Sequence, residues 1–224
     1  MNWVKLSDKF SEKNVRLLFW LAISTFFLGL FVKLTTEISE HNRLEQIDKS
    51  ILLFVEKVRV PAFNGIAVDL TALGSPLVIT LVTLIGLLVL WLRQDRDGFV
   101  YLVTVSFGAG FWTLMMKHLI GRERPQIIPR LVEVSGLSYP SGHSLSAAAV
   151  YLGLTFLTCR HFKSIYSRLI LFSVSIGLIA AVSLSRVYLG VHYPSDILSG
   201  VFLGASWVFF LTAFFTRDNF SEVL

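Results

Sequence analysis

An all-α bundle of six membrane-spanning helices, with an amphipathic interfacial helix between the first two, follows from three features of this 224-residue chain. Hydrophobic side chains make up 54% of it and charged ones only 16%, against about a quarter charged in soluble domains. Its mean hydropathy is +0.68, and the apolar residues gather into six windows long enough to cross about 30 Å of hydrocarbon. The ten-residue alternation of a membrane barrel is absent, so helices are the architecture left to satisfy the backbone within lipid.

The windows run near 17–33, 72–92, 99–116, 144–160, 169–185 and 197–216. The first follows a polar head, MNWVKLSDKFSEKNVR, that holds acids as well as bases, and no small-residue cleavage pattern comes after it. It reads as a retained anchor. Six spans put both termini on one side. Between the first two, residues 35–71 form the longest connection, where Leu44, Ile47, Ile51, Phe54, Val55 and Val58 recur at helical spacing with Glu45, Asp48, Lys49, Glu56 and Lys57 between them. That pattern predicts a helix lying in the interface and ending before Pro61, placed to cover a lipid groove or to cap the bundle. No internal repeat or linker interrupts the chain, so residues 1–224 are expected to form one domain.

A net charge of +5 would suggest nucleic acid in a polar chain. Here the bases are spread thinly among apolar runs, which points to membrane topology instead of a nucleic-acid partner. The twenty Lys and Arg residues divide equally between the two sides of a six-span chain. Several on the side away from the termini belong to the polar cluster described next. Discounting these leaves the excess with the termini, which are expected in the cytoplasm. Cys159 is alone, so neither an intramolecular disulfide nor a Cys-rich metal site can form.

Three short segments concentrate the ionisable groups: KHLIGRERP at 117–125, YPSGHS at 139–144 and SRVYLGVHYPSD at 185–196. The first follows the third span and the second opens the fourth. Crossing down the fourth helix and back up the fifth brings the third segment to the same face, so all three can meet at one end of the bundle. Lys117, Arg122, Arg124 and Arg186 then lie near His143, His192 and Asp196, a balance suited to a multiply charged phosphate, whose oxygens match the fork of an arginine. Ser141 and Gly142 open a helix, and its free N–H groups and dipole also favour an anion. Asp196, in the first turn of the sixth span, can reach a ring nitrogen of His192 and fix its tautomer, leaving the other nitrogen with its lone pair. His143 remains for proton donation.

These segments resemble the three signature motifs of the type 2 phosphatidic acid phosphatase (PAP2) superfamily. Lys117, six residues, then Arg124-Pro125 fits the first. Pro140-Ser141-Gly142-His143 fits the second, and Ser185-Arg186, five residues, His192, three residues, Asp196 fits the third. TALGSP at 71–76 also looks like a stretch seen in such proteins. The resemblance implies that His192 attacks phosphorus to give a phosphohistidine, that Asp196 orients it, and that His143 protonates the leaving group and later activates water. Lys117, Arg124 and Arg186, with Ser141 and the Gly142 backbone, are implied to hold the phosphate oxygens, with Arg122 as an extra contact. No metal or other cofactor is implied, since the cations supply the charge neutralisation a metal ion would give.

The expected activity is therefore that of a multi-pass membrane phosphatase acting on a lipid phosphate monoester or pyrophosphate, its active site on the extracytoplasmic side. Phosphatidylglycerophosphate is the leading substrate, undecaprenyl pyrophosphate the next. A non-hydrolytic transporter or flippase of a phosphorylated lipid is the alternative, though spans outside the motifs carry almost no ionisable residues and neither a broken-helix pair nor an inverted repeat is seen. A metal site built from His143, His192 and Asp196 would crowd a cation among Lys117, Arg124 and Arg186, which is electrostatically unfavourable.

Overall fold

A computed structural model describes residues 3–40 and 43–215, with side chains from residue 13 onward; His41 and Arg217 lie outside the described residues. The helices are α1 (Trp3–Ser39), α2 (Arg43–Val58), α3 (Asn64–Ala72), α4 (Pro76–Leu92), α5 (Arg96–Ile120), α6 (Gly142–Cys159), α7 (Ile165–Tyr188) and α8 (Pro194–Phe215), with a short 3-10 turn at Pro61–Phe63 before α3. Among the described residues there is no strand.

Five helices, α1, α5, α6, α7 and α8, are individually long and apolar enough to cross a membrane. The second expected span, 72–92, is the exception. It is split between α3 and α4, which form a pair bent by 44°. The cause is local: Ser75 is extended (ψ 151°) ahead of Pro76, and its side chain accepts the Val78 N–H, so α4 starts at Pro76 and not at residue 72. Its 17 residues rise about 26 Å, close to the thickness of the hydrocarbon layer.

α6 runs through the middle of the bundle, buried along nearly its whole length, against α5, α7 and α8. The α6–α8 contact is backbone-close. A Cβ at Gly200 would lie 2.6 Å from the Ser141 carbonyl oxygen, and one at Gly204 2.6 Å from that of Leu145. Only glycine fits at either place, and the Gly-x-x-x-Gly spacing puts both on one face of α8. α1 lies along the opposite side of α8. Ser24 and Ser206 clasp the two helices reciprocally, each hydroxyl donating to the other's carbonyl at 2.9 and 3.0 Å, and Phe209 stacks against both Trp20 and Phe27. Leu84, Ile85, Phe107, Leu114, Ile170 and Val174 face outward as an apolar belt, the surface that acyl chains require.

α2 lies across the ends of α7 and α8 and leaves Ile47, Ile51, Phe54 and Val58 exposed. The apolar stripe thus faces away from the protein, as an interfacial helix demands. Its inner edge departs from the expected pattern. Asp48, grouped by the sequence with the polar residues, is buried beside Leu52.

Candidate active site

The C-terminal ends of α5 and α7 and the N-terminal ends of α6 and α8 come together at one end of the bundle. Gly121, in the left-handed region (φ 66°), stops α5 by donating its N–H to the Lys117 carbonyl. The chain then runs through 121–141 and is stitched to its neighbours by backbone bonds: Ser138 N to Arg122 O at 2.8 Å, Leu131 N to Leu189 O at 3.0 Å, and Ser141 N to Asp196 O at 3.0 Å. The three polar segments, distant in sequence, become one surface.

His192 and Asp196 are both buried. Nδ1 of His192 faces Oδ2 of Asp196 at 3.4 Å, while Nε2 lies 3.1 Å from Nη1 of Arg124. A guanidinium can only donate, so Nε2 carries the lone pair and the ring proton sits on Nδ1, toward the carboxylate. Asp196 is held firmly in that pose. Its Oδ2 also accepts the Ser138 hydroxyl at 2.5 Å and the Tyr193 N–H at 2.9 Å, and its Oδ1 accepts Arg122 Nη1 at 2.6 Å. Burial pushes His192 down to about 4 from an ordinary 6.5; Asp196 opposes this, and Arg186 and Arg124 reinforce it. The imidazole is therefore neutral at physiological pH.

Lys117, Arg124, Gly142, His143, Arg186 and His192 line one cavity of about 660 Å³. Arg124 is anchored from behind by the carbonyls of Gly136, Val191 and Ser135, at 2.9, 2.9 and 3.2 Å. Lys117 donates to the Leu137 carbonyl. Arg186 is buried, with Nη1 on the Thr71 hydroxyl at 2.9 Å and Nε without any protein partner. A buried, unsatisfied cationic donor is costly unless an anion completes it. The cavity continues between α4 and α5 past Ile79, Thr80, Ser106, Gly110 and Leu114. A polar chamber therefore opens into a groove on the apolar flank of the bundle, and no α2 residue lines it.

Two expected phosphate contacts lie elsewhere. Ser141 is fully buried as the N-cap of α6, its hydroxyl accepting from the Ser144 hydroxyl at 3.0 Å and from the Ser144 N–H at 3.4 Å. Arg122 turns away from the cavity. Its Nη1 binds Ser195 Oγ at 2.7 Å as well as Asp196, its Nη2 binds Asp48 Oδ2 at 2.8 Å, and its guanidinium sits 4.0 Å over the Tyr193 ring. Burial works against its charge, but Asp196 and Asp48 outweigh this and raise its pKa. Arg130 folds back onto the Pro125 carbonyl at 2.8 Å.

Four participants are not signature positions of the three motifs. Ser138 fixes Asp196, Thr71 holds Arg186, and Asp48 and Ser195 share Arg122. Of these, Asp48 left a trace in the sequence as an acid in the same i, i+4 row as Leu44 and Leu52, and Thr71 as the first residue of TALGSP. Among the described residues, no three His, Cys, Asp or Glu side chains converge in the manner of a metal site.

The chain is similar along most of its length to known membrane phosphatases. Over 205 residues the chain is 32% identical to phosphatidylglycerophosphatase B of Bacillus subtilis, covering 90% of this chain and 94% of that one. It is 30% identical over 206 residues to an undecaprenyl-diphosphatase of Sulfolobus acidocaldarius, covering 87% and 89%. The crystal structure of a transmembrane PAP2-type phosphatidylglycerolphosphate phosphatase from Bacillus subtilis superposes with a TM-score of 0.77 at 28% identity, covering 85% of this chain and 94% of that one. The PAP2 superfamily model matches residues 98–220, which contain all three motifs. By motif, by fold and by similarity along most of its length, the chain belongs to the PAP2 superfamily.

Proposed function

We propose that this multi-pass membrane phosphatase hydrolyses a lipid phosphate through a phosphohistidine on His192. One observation carries the reading: the lone pair of His192 Nε2 points into a chamber walled by Lys117, Arg124, Arg186 and His143, with Asp196 behind the opposite ring nitrogen. Nε2 attacks phosphorus and the bond to the lipid oxygen breaks. Asp196 stabilises the imidazolium that forms, and His143 delivers a proton to the departing alkoxide or phosphate. His143 then takes a proton from water, whose oxygen displaces Nε2 and releases inorganic phosphate. Lys117, Arg124, Arg186 and the Gly142 N–H hold the non-bridging oxygens, so charge is neutralised by fixed cations aimed at the reacting group. Arg124 passes from Nε2 to a phosphate oxygen as the substrate seats.

Phosphatidylglycerophosphate is the preferred substrate in this reading, supported by similarity to a phosphatidylglycerophosphatase over 90% of the chain. Undecaprenyl pyrophosphate is next, supported by the archaeal relative. The tails lie in the groove between α4 and α5 while the headgroup occupies the chamber. The site faces the extracytoplasmic side with the termini in the cytoplasm, a placement supported by the excess of Lys and Arg on the terminal side once the site cations are set apart.

The decisive measurement is phosphate release by purified protein in EDTA, with phosphatidylglycerophosphate, undecaprenyl pyrophosphate and phosphatidate compared in one detergent. Release from the first at the highest kcat/KM, loss of turnover in His192→Ala, and an acid-labile phosphoenzyme in the parent are expected. No release from any of the three would sink the phosphatase reading, and near-native turnover by His192→Ala would sink the nucleophile.

A further inference from the structure

Asp48 is the one buried acidic side chain of α2, 1% exposed, on a helix that otherwise offers the protein only Leu52 as a fully buried residue. Seating a helix needs no charge, and a buried carboxylate is costly unless it is fully paired. Asp48 is fully paired. Oδ1 accepts the Ser195 N–H at 2.9 Å; Oδ2 accepts Arg122 Nη2 at 2.8 Å and also the Ser195 hydroxyl. Every one of these partners is adjacent to, or bonded to, Asp196.

The geometry of Arg122 explains what this achieves. A guanidinium facing a single carboxylate prefers to take both its oxygens in a fork. Were Arg122 to do so with Asp196, it would draw Oδ2 away from His192. Asp48 occupies Nη2, so Arg122 reaches Asp196 through Nη1 and Oδ1 alone, at 2.6 Å. Oδ2 is left to the Ser138 hydroxyl, the Tyr193 N–H and Nδ1 of His192.

We propose that Asp48 is a positioning residue for the reaction: by holding Nη2 of Arg122 it keeps Oδ2 of Asp196 turned toward His192, and it thereby ties the alignment of the nucleophile to the seat of the interfacial helix. This rests on the phosphohistidine reading above. The outward face of α2, Ile47, Ile51 and Phe54, is exposed for contact with lipid, so the helix that meets the membrane surface is also the one that braces the catalytic carboxylate.

The test compares Asp48→Asn, Arg122→Gln and the double variant by phosphate release, together with the affinities of inorganic phosphate and of vanadate, a five-coordinate mimic of the transferring phosphoryl group. Asp48→Asn is expected to lower kcat and vanadate affinity by about ten-fold or more, the usual cost of losing a residue that orients a functional side chain. KM and phosphate affinity stay within about two-fold, because ground-state binding does not need the nucleophile in line. The double variant is expected to be no worse than Arg122→Gln alone. Leu52→Ala, one turn along α2, loosens the helix without touching the carboxylate and separates the two roles. A merely structural Asp48 predicts that Leu52→Ala copies the selective loss of vanadate; a positioning Asp48 predicts that it does not. Vanadate affinity within two-fold of the parent in Asp48→Asn, or losses that multiply in the double variant, overturns the proposal. Should Asp48→Asn not accumulate, Asp48→Glu replaces it under the same criteria, since the longer arm also misplaces Nη2. If the parent releases no phosphate from any lipid, the phosphatase reading fails separately, and the ratio of vanadate to phosphate affinity still decides the role of Asp48.

Discussion

The proton affinity of His192 is the quantity on which the proposed chemistry turns. Lowering it from 6.5 to about 4 means that the folded protein disfavours the charged ring by about 3 kcal/mol, at roughly 1.4 kcal/mol per decade. Between those two values the unfolded chain binds a proton that the folded chain refuses. Stability due to this ring is therefore complete above pH 6.5, falls as the pH drops, and is about 3 kcal/mol lower below pH 4. Nuclear magnetic resonance of ring-labelled histidines in detergent, assigned with His192→Gln, reads the titration directly. The groups facing the ring are Asp196 from α8, Arg186 from α7, Arg124 from the connecting segment and His143 from α6. Arg124→Gln, which removes a cation 3.1 Å from Nε2, is expected to move the titration upward. Asp196→Asn, which removes the facing carboxylate, is expected to move it downward. An acid limb near pH 6 in kcat/KM then belongs to the second ionisation of the substrate phosphate, about 6. A His192 titration at or above 6 without phosphate, or a downward shift in Arg124→Gln, would refute the reasoning.

Three further outcomes are expected. Gly204→Leu, which drives side-chain atoms into the Leu145 carbonyl 2.6 Å from its Cβ position, is expected to lose at least the 1–3 kcal/mol typical of overpacking, roughly, and with it catalytic turnover; thermal unfolding and phosphate release read both. Thr71→Val removes the hydroxyl partner of Arg186 at 2.9 Å and is expected to raise KM roughly 10- to 150-fold with little change in kcat, as a lost hydrogen bond to a charged group implies at about 1.5–3 kcal/mol. Replacing Ser24 and Ser206 together by Ala removes both clasps between α1 and α8 and is expected to cost only about 1 kcal/mol of stability, since interhelical hydrogen bonds in membranes average about 0.6 kcal/mol, with kcat unchanged in the same phosphate assay.

Properties that are local in the chain were readable from it. Hydropathy windows of spanning length located the membrane helices because lipid imposes its demand residue by residue. Even the break in the second span was written in Ser75-Pro76, although a window average passes over it. The motif residues that line the chamber were readable because their spacing is fixed by helix ends. Pairings between distant segments were not. Arg122 and Asp48 stand 74 positions apart, and an arginine beside the motif looks the same whether it meets phosphate or a carboxylate. Ser138 offered no signal, since a serine in a loop is ordinary until Asp196 is placed 2.5 Å away. The amphipathic pattern of α2 gave its helical period but not which edge turns inward, and there a buried acid sits where an apolar residue would serve packing alone.

The close crossing at Gly200 and Gly204 has a bearing on how such a molecule can diversify. It locks together the two helices that bring His143 and Asp196 into the site, so the spacing of the groups assigned above as proton donor and orienting carboxylate is set by glycine contacts. The walls of the groove belong to α4 and α5, a different pair. If the tails lie in that groove as proposed, replacements at Ile79, Thr80 or Leu114 reshape the room for them while the residues of the polar chamber keep their distances, and a lineage can exchange one phosphorylated lipid for another without rebuilding the chamber.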